Sequence, residues 1–237
     1  MSQPSDRTEQ HLREHAERNL GALVISIEFT LISVMVGVIL FPLMDNAAIL
    51  LRDLRWELWP YILSGLLFTL LLWTQVISHS LSFVGWPIDI GHNLLYIVFA
   101  LVLGVQMHFI MDPRGWFAVS FISTLVAWLL VYYDARVIEE RMTGVSGAAL
   151  ALFTVALERQ RNLGRQFVIA FADALLNLGA VLLWSPFMID RPGHLILIAL
   201  QLLLVLGLTV RTIQVFKSWT EPVVRKAMQE LALEGED

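Results

Sequence analysis

The amino-acid sequence predicts an all-α integral membrane protein, a bundle of six transmembrane helices. Hydrophobic residues occupy 57% of its 237 positions and charged residues only 16%, whereas soluble domains have about 45–50% and about 25%. The mean hydropathy is +0.68. Six apolar stretches have the length of roughly 20 residues that a helix needs to cross a bilayer. This composition excludes a soluble globular domain, and it excludes a disordered chain, which has low hydrophobicity and high net charge.

Each predicted span is a helix, because backbone groups in lipid must find their hydrogen-bond partners within their own segment. The stretches lack the alternating pattern of a membrane β-barrel. The second and fourth spans contain no charged residue, and the first, fifth and sixth contain only Glu28, Asp173 and Arg211, respectively. The six predicted spans, in order, are Leu20–Met44, Leu58–His79, Ile88–Ile110, Trp116–Tyr133, Phe167–Ile189 and Leu195–Phe216.

Lysine and arginine residues set the expected orientation. With six spans, both termini and the second and fourth loops share one side, and these segments hold 11 of the 16 basic residues. The positive-inside rule therefore places both termini on the cytoplasmic side of the membrane. We expect this to be a plasma membrane or an inner membrane. Residues 1–19 form a polar N-terminal helix, residues 20–216 the membrane domain, and residues 217–237 a cytoplasmic tail with helical spacing of apolar residues.

The cytoplasmic loop 135–166 is the longest connection between spans. Gly144, Ser146 and Gly147 interrupt it, and a helix with an apolar run of about 10 residues follows, too short to cross the bilayer. We expect this helix to lie at the membrane interface or beneath the bundle.

Polar residues inside the spans gather in the cytoplasmic half of the bilayer when their depth is estimated at about 1.5 Å per residue. Two pairs, Gln75 with His79 and Asp173 with Asn177, are spaced i, i+4 and so share a helix face. Ionisable groups at such depth are costly and mark functional sites by default. The sequence therefore predicts an inward-facing polar cluster of Glu28, Gln75, His79, Asp173, Asn177 and Arg211.

Two interpretations of this cluster stay open. It lines a water-filled vestibule for a cation or proton, or it is structural and fixes the order of the helices. One of its carboxylates is expected to pair with Arg211, because an unpaired charge there is expensive. His79, Asp89 and His92 form a separate, weaker candidate site for a divalent metal. No other cofactor is indicated.

The stretch from Trp59 to Phe83 and the following helix start resemble spans two and three of the six-helix potassium-channel family of lysosomes and bacteria. The matching positions are Trp59, Pro60, His79, Phe83, Asn93, Leu94 and Leu95. The family's Phe-Ser-Asp motif is absent from span one. The resemblance implies potassium or other cation conduction, and Ile27, Leu31 and Val34 are the pore-lining residues it implies.

These observations favour a cation channel or transport-like membrane protein that forms a homo-oligomer. The alternative is a non-transporting membrane subunit or anchor that holds a protein partner through its cytoplasmic helices. We expect no enzymatic activity, because the sequence has no GxSxG, HExxH or Walker A motif. The net charge of −5 gives no indication of a nucleic-acid partner.

Overall fold

The structure is a computed structural model that describes residue 26, residues 30–80 and 90–215, and seven positions between 217 and 229. The side chains of residues 76–80, 90, 148 and 149 are not among those described. Within these limits the fold is entirely helical. The helices are α1 (Thr30–Arg52), a 3₁₀ turn (Trp56–Leu58), α2 (Trp59–Ser80), α3 (Ile90–Met107), α4 (Pro113–Arg141), α5 (Gly147–Leu183), α6 (Ser185–Met188) and α7 (Gly193–Val215).

Contacts between helix ends show an up-and-down arrangement of the long helices. Near the ends of α1 and α3, the side-chain amide of Asn46 donates to the carbonyl oxygen of Met107 at 3.0 Å. Near the starts of α2 and α7, the Tyr61 hydroxyl and Nδ1 of His194 lie 2.9 Å apart. We call the end where α4 meets α5 the hairpin end, and the opposite end, where the short α6 lies, the α6 end.

Five helices are long and apolar enough to cross a membrane within the described part of the chain. They are Thr30–Arg52, Trp56–Gln75, Pro113–Arg141, Leu150–Leu183 and Gly193–Val215, with mean hydropathies from 1.3 to 2.3. Stretches of this length and hydropathy are typical of membrane spans. The protein is therefore a multi-pass integral membrane protein.

The third predicted span corresponds to α3, whose apolar part, Gly91–Met107, is shorter than the other five. Its end lies before the predicted boundary at Ile110, because the chain tightens into a turn there. The amide nitrogens of His108 and Phe109 donate three residues back, at 3.1 and 3.0 Å. The turn leads to Pro113 at the first position of α4, where a missing N–H is tolerated.

The structure differs from the expected loop 135–166. Helix α4 continues to Arg141, and α5 is one helix of 37 residues that joins the expected interfacial helix to the fifth predicted span. Gly164 is the only glycine at the junction, and a single glycine costs a helix only about 1 kcal/mol. Only residues 142–146 form the turn, where Gly144 adopts φ +85°, a conformation that glycine permits.

The core of the bundle lies mainly among α1, α2, α3, α4 and α7, with Val181 of α5 and Met188 of α6 contributing at the α6 end. Tyr61, Trp116 and Phe117 are fully buried there, and the rings of Tyr61 and Trp116 meet edge to face at 5.1 Å. A second, smaller cluster centres on the buried Ile138 and Leu157 and holds the tip of the α4–α5 hairpin together. The hairpin therefore has a core of its own beyond the main bundle.

The expected N-terminal helix 1–19 lies outside the described residues. In the expected C-terminal helix 217–237, the described positions from 221 onward are helical. There Arg225 donates to a carboxylate oxygen of Glu221, one turn earlier, at 2.7 Å.

Candidate functional site: a cavity with two polar levels

A cavity of about 110 Å³ lies inside the bundle, among α2, α3, α4, α5 and α7. Most of its wall is apolar, with Leu103, Ala127 and Leu204 among the lining residues. The polar lining residues carry carboxylates, amides and hydroxyls, and no described lysine or arginine lines the cavity. These polar residues are Gln75, Tyr96, Gln106, Ser123, Thr124, Asp134, Gln160, Asp173 and Gln201.

One group of polar side chains lies at the hairpin end of the cavity. Asp134 is only 1% exposed, and its Oδ1 lies 2.6 Å from Nδ1 of His92 on α3. The Gln160 side-chain amide points at the other carboxylate oxygen, at 3.5 Å. The His92 ring packs against Tyr96, with centroids 4.5 Å apart. We call Asp134, His92 and Gln160 the aspartate cluster.

The helical spacing of α4 explains why Asp134 is buried. The buried residues Ala127, Leu130, Asp134 and Ile138 follow one another at three- or four-residue intervals, so they share a face of the helix. That face packs against α3 and α5. Asp134 therefore occupies a position of the apolar stripe, and His92 and Gln160 supply the hydrogen bonds that a buried carboxylate requires.

A second group, which we call the glutamine network, lies nearer the α6 end. The Ser120 hydroxyl accepts hydrogen bonds from the amides of Gln106 and Gln201, both at 2.8 Å. The Ser123 hydroxyl donates to Gln106 Oε1 at 3.0 Å, and the Trp116 indole donates to Gln201 Oε1 at 3.0 Å. All five side chains are buried, and their bonds join α3, α4 and α7.

The two polar groups are separated along the bundle axis. Ser120 precedes Asp134 by 14 residues on α4, which is about 21 Å at the helical rise of about 1.5 Å per residue. Asp173 follows Gln160 by 13 residues on the antiparallel α5, which carries it a similar distance back toward the α6 end. The 5.1 Å contact between the rings of Phe121 and Phe171 agrees with this alignment. The cavity therefore has a carboxylate near each end and apolar wall between.

The predicted polar cluster is divided between two places. Gln75 and Asp173 line the central cavity, and Asn177 donates to Asp173 Oδ2 at 3.1 Å. Arg211 is exposed and lines a second, smaller cavity, which Gln75 also reaches. Within the described part of the chain, Asp173 forms no ion pair with Arg211, because Arg211 lies near the end of α7, at the hairpin end, and Asp173 lies nearer the α6 end.

Some of the other residues predicted for the polar cluster, the metal site and the pore lie outside the residues that the structure describes. Glu28, Ile27 and Asp89 lie outside the described residues, as does the side chain of His79. The described part of the chain has no group of three or more His, Asp or Glu residues that could hold a metal ion. Of the weak metal candidates, the described His92 is turned toward Asp134. Of the candidate pore-lining residues, Leu31 packs partly on the core and Val34 is 60% exposed.

Sequence reasoning missed Asp134, Gln160, Gln106 and Gln201. Asp134 lies one residue beyond the predicted fourth span, and Gln160 lies in the expected loop, so neither was counted as an intramembrane residue. The glutamines carry no charge and do not interrupt an apolar stretch. One sequence feature could have indicated the burial of Asp134: it follows Leu130 and precedes Ile138 at four-residue intervals, so it shares their apolar helix face.

Comparisons with known proteins assign no relative. No family model, no curated protein and no solved structure matches the chain. The function must therefore be argued from the site itself.

Proposed function

We propose that the protein moves a cation, in the simplest case a proton, across the membrane through the central cavity. The observation that carries this proposal is the placement of Asp134 and Asp173 on the wall of one cavity inside the helix bundle, whose described lining has no basic residue. Carboxylates inside membrane proteins are costly, and they recur in ion pathways and proton relays. A wall of carboxylate, amide and hydroxyl oxygens suits a cation and repels an anion.

The aspartate cluster supports the proton as cargo. A carboxylate and an imidazole in direct hydrogen-bond contact can exchange a proton. The 2.6 Å contact between His92 and Asp134 provides such a pair at the hairpin end of the cavity. Asp173 provides a second acceptor nearer the α6 end.

The volume and lining of the cavity also favour the proton. A water molecule needs about 10–15 Å³ of cavity volume. The central cavity, at about 110 Å³, is therefore large enough for several water molecules. Waters in the apolar middle, between Leu103 and Ala127, would connect the two polar levels. A hydrated metal cation would have to lose most of its water to pass the same wall, which is costly.

The topology of this transport unit is also part of the proposal. Helix α3 has 18 residues, about 27 Å at the helical rise, close to the thickness of the hydrocarbon layer, and we assign it the sixth crossing. Both termini and the hairpin end then face the cytoplasm, in accord with the excess of basic residues on that side.

The resemblance to the six-helix potassium channels supports the same class of cargo but a different route. In that arrangement Leu31 and Val34 would line a pore between copies of the chain. Val34 is exposed on the single chain, so its side chain is available to face a pore formed between several copies. Transport through the central cavity and transport between copies predict different sensitive residues, so mutation separates them.

Flux into liposomes tests the proposal. Purified full-length protein is reconstituted, and entry of protons and of potassium is followed with internal fluorescent indicators under an imposed membrane potential. Asp134→Asn and Asp173→Asn are expected to reduce proton entry by at least tenfold. Asp190→Asn, at an exposed position between α6 and α7, is the matched control and should keep the flux of the unaltered protein.

The outcomes discriminate between the routes. Flux that survives both aspartate variants but is lost in Val34→Asp would overturn the central-cavity route and favour a pore between copies. Absence of any cation flux from folded protein would overturn the transport proposal altogether.

One observation favours the alternative, a membrane anchor that holds a partner. Helix α5 is about 55 Å long at the helical rise, against about 30 Å for the hydrocarbon layer, so the α4–α5 hairpin projects beyond the bilayer. Its tip has its own apolar cluster around Ile138. If flux is absent, we expect a co-purifying protein that is released when residues 136–158 are replaced by a short linker.

A further inference from the structure

A second cavity, of about 50 Å³, lies between α2, α5 and α7 at the hairpin end. Its lining differs from that of the central cavity because it includes two arginines, Arg159 and Arg211. No described aspartate or glutamate lines it. The polar residues around it are Gln75, Arg159, Asn162, Gln166, Arg211 and Thr212.

The two arginines are not neutralised by carboxylates in the part of the chain that the structure describes. Arg159 donates through Nη2 to Gln75 Oε1 at 2.6 Å, which is a neutral acceptor. By contrast, Arg161 on the same helix forms an ion pair with Glu139 at 2.7 Å. A guanidinium has five N–H donors, so Arg159 keeps donors beyond the one used on Gln75.

The local sequence directs polar groups to this cavity from one face of α5. Arg159, Asn162 and Gln166 lie at i, i+3 and i+7, a spacing that places them on the same side of the helix. Arg211 and Thr212 approach from α7. Guanidinium, amide and hydroxyl donors therefore converge on a small volume, which is the chemistry that holds a phosphate group.

The depth of the cavity matches the headgroup level of the membrane. Counting about 20 residues back from Leu183, the end of α5, covers about 30 Å of hydrocarbon and reaches Gly164. Asn162 and Gln166 lie on either side of that boundary. Basic pockets between membrane helices at this level are typical sites for anionic headgroups.

We propose that this cavity binds a phosphate group, supplied by an anionic membrane lipid or by a soluble phosphate compound. Arg159 and Arg211 hold the phosphate oxygens from two helices, and Asn162, Gln166 and Thr212 supply further donors. Binding would connect α5 to α7 at the hairpin end. The site does not depend on the transport proposal, since the two cavities share only Gln75 and Leu163 among their described lining residues, and neither arginine lines the central cavity.

Phosphatidic acid is the probe for the lipid source. The purified full-length protein in neutral detergent is titrated with phosphatidic acid, and bound lipid is counted by native mass spectrometry. Arg159→Gln and Arg211→Gln are each expected to weaken binding by roughly tenfold or more, the effect of losing a hydrogen bond between charged groups. Arg161→Gln is the matched control, because Arg161 is on the same helix and is already paired with Glu139.

A competition with inorganic phosphate separates the two sources. If phosphate displaces phosphatidic acid at comparable concentration, the site serves a soluble phosphate; if it does not, the acyl chains contribute and the ligand is a lipid. The proposal is overturned if Arg211→Gln binds phosphatidic acid as tightly as Arg161→Gln does. Because Arg211 is exposed, its replacement should leave the fold intact even if Arg159→Gln does not fold.

Discussion

Nδ1 of His92 lies 2.6 Å from Oδ1 of Asp134, although the two residues are 42 positions apart in the chain. The contact joins the start of α3 to the last third of α4. The Asp134 side chain is 2% exposed and that of His92 is 11% exposed, so water competes little for the bond. The pair both fixes the register of the two helices and puts a titratable group on the cavity wall.

The energy of this pair can be isolated with a double-mutant cycle on His92→Ala and Asp134→Ala. Because the bond is buried and involves a carboxylate, we expect a coupling of about 1–3 kcal/mol in the free energy of unfolding. The measurement is a denaturing-detergent titration of the purified protein in mixed micelles. Arg136 and Glu140, an exposed pair on α4 at 3.9 Å, are the control and should couple by no more than about 0.5 kcal/mol. Equal couplings would contradict the structural importance of the buried pair.

Gln201→Leu should destabilise the bundle from within the glutamine network. The change removes the acceptor of the Trp116 indole and one donor to Ser120. Interhelical hydrogen bonds in membrane proteins contribute about 0.6 kcal/mol each on average, so two lost bonds predict about 1–2 kcal/mol. Gln214→Leu, exposed on the same helix, should change the free energy of unfolding by less than half as much. The same titration checks both variants, and equal effects would count against the network.

Gly193→Ala tests the close approach of α6 to the start of α7. A Cβ at this position would lie 2.8 Å from the carbonyl oxygen of Phe187, and a backbone atom cannot move away cheaply. We expect a loss of about 1–3 kcal/mol in the free energy of unfolding. Gly207→Ala, on the same helix with no atom within 4 Å, should instead be neutral or stabilising by up to about 1 kcal/mol. A destabilised Gly207→Ala would indicate a packed surface at that position.

Ile138→Ala should loosen the hairpin tip without unfolding the bundle. Ile138 is fully buried in the small cluster with Ala156 and Leu157, and such truncations cost about 2–5 kcal/mol. Hydrogen exchange should therefore quicken in residues 135–160 and stay unchanged in α2 and α7. Ile122→Ala, at a half-exposed position of the same helix, is the control. Faster exchange throughout the protein would show that the tip and the bundle unfold as one unit.

The sequence was sufficient to predict an all-helical fold and five of the six expected spans, because long apolar stretches leave the backbone no alternative in lipid. It was insufficient to predict which polar residues meet. A span that is apolar all round does not fix its own rotation about the helix axis, so the contact between Gln75 and Arg159 could not be derived. Helix length was also uncertain, because nothing in residues 147–166 forces a helix to stop. That is why the expected interfacial helix is part of α5.

Helices α4 and α5 each continue without a break from the hairpin tip into the bundle, so a movement of the tip is transmitted along both helices. Gln160 and Asp134 belong to the same two rods that form the projecting tip, with no hinge residue between tip and cluster on either helix. A pull or tilt applied to the tip therefore reaches the 3.5 Å contact between these side chains directly. The α4–α5 hairpin is thereby a lever that transmits motion of its tip to the aspartate cluster and the bundle.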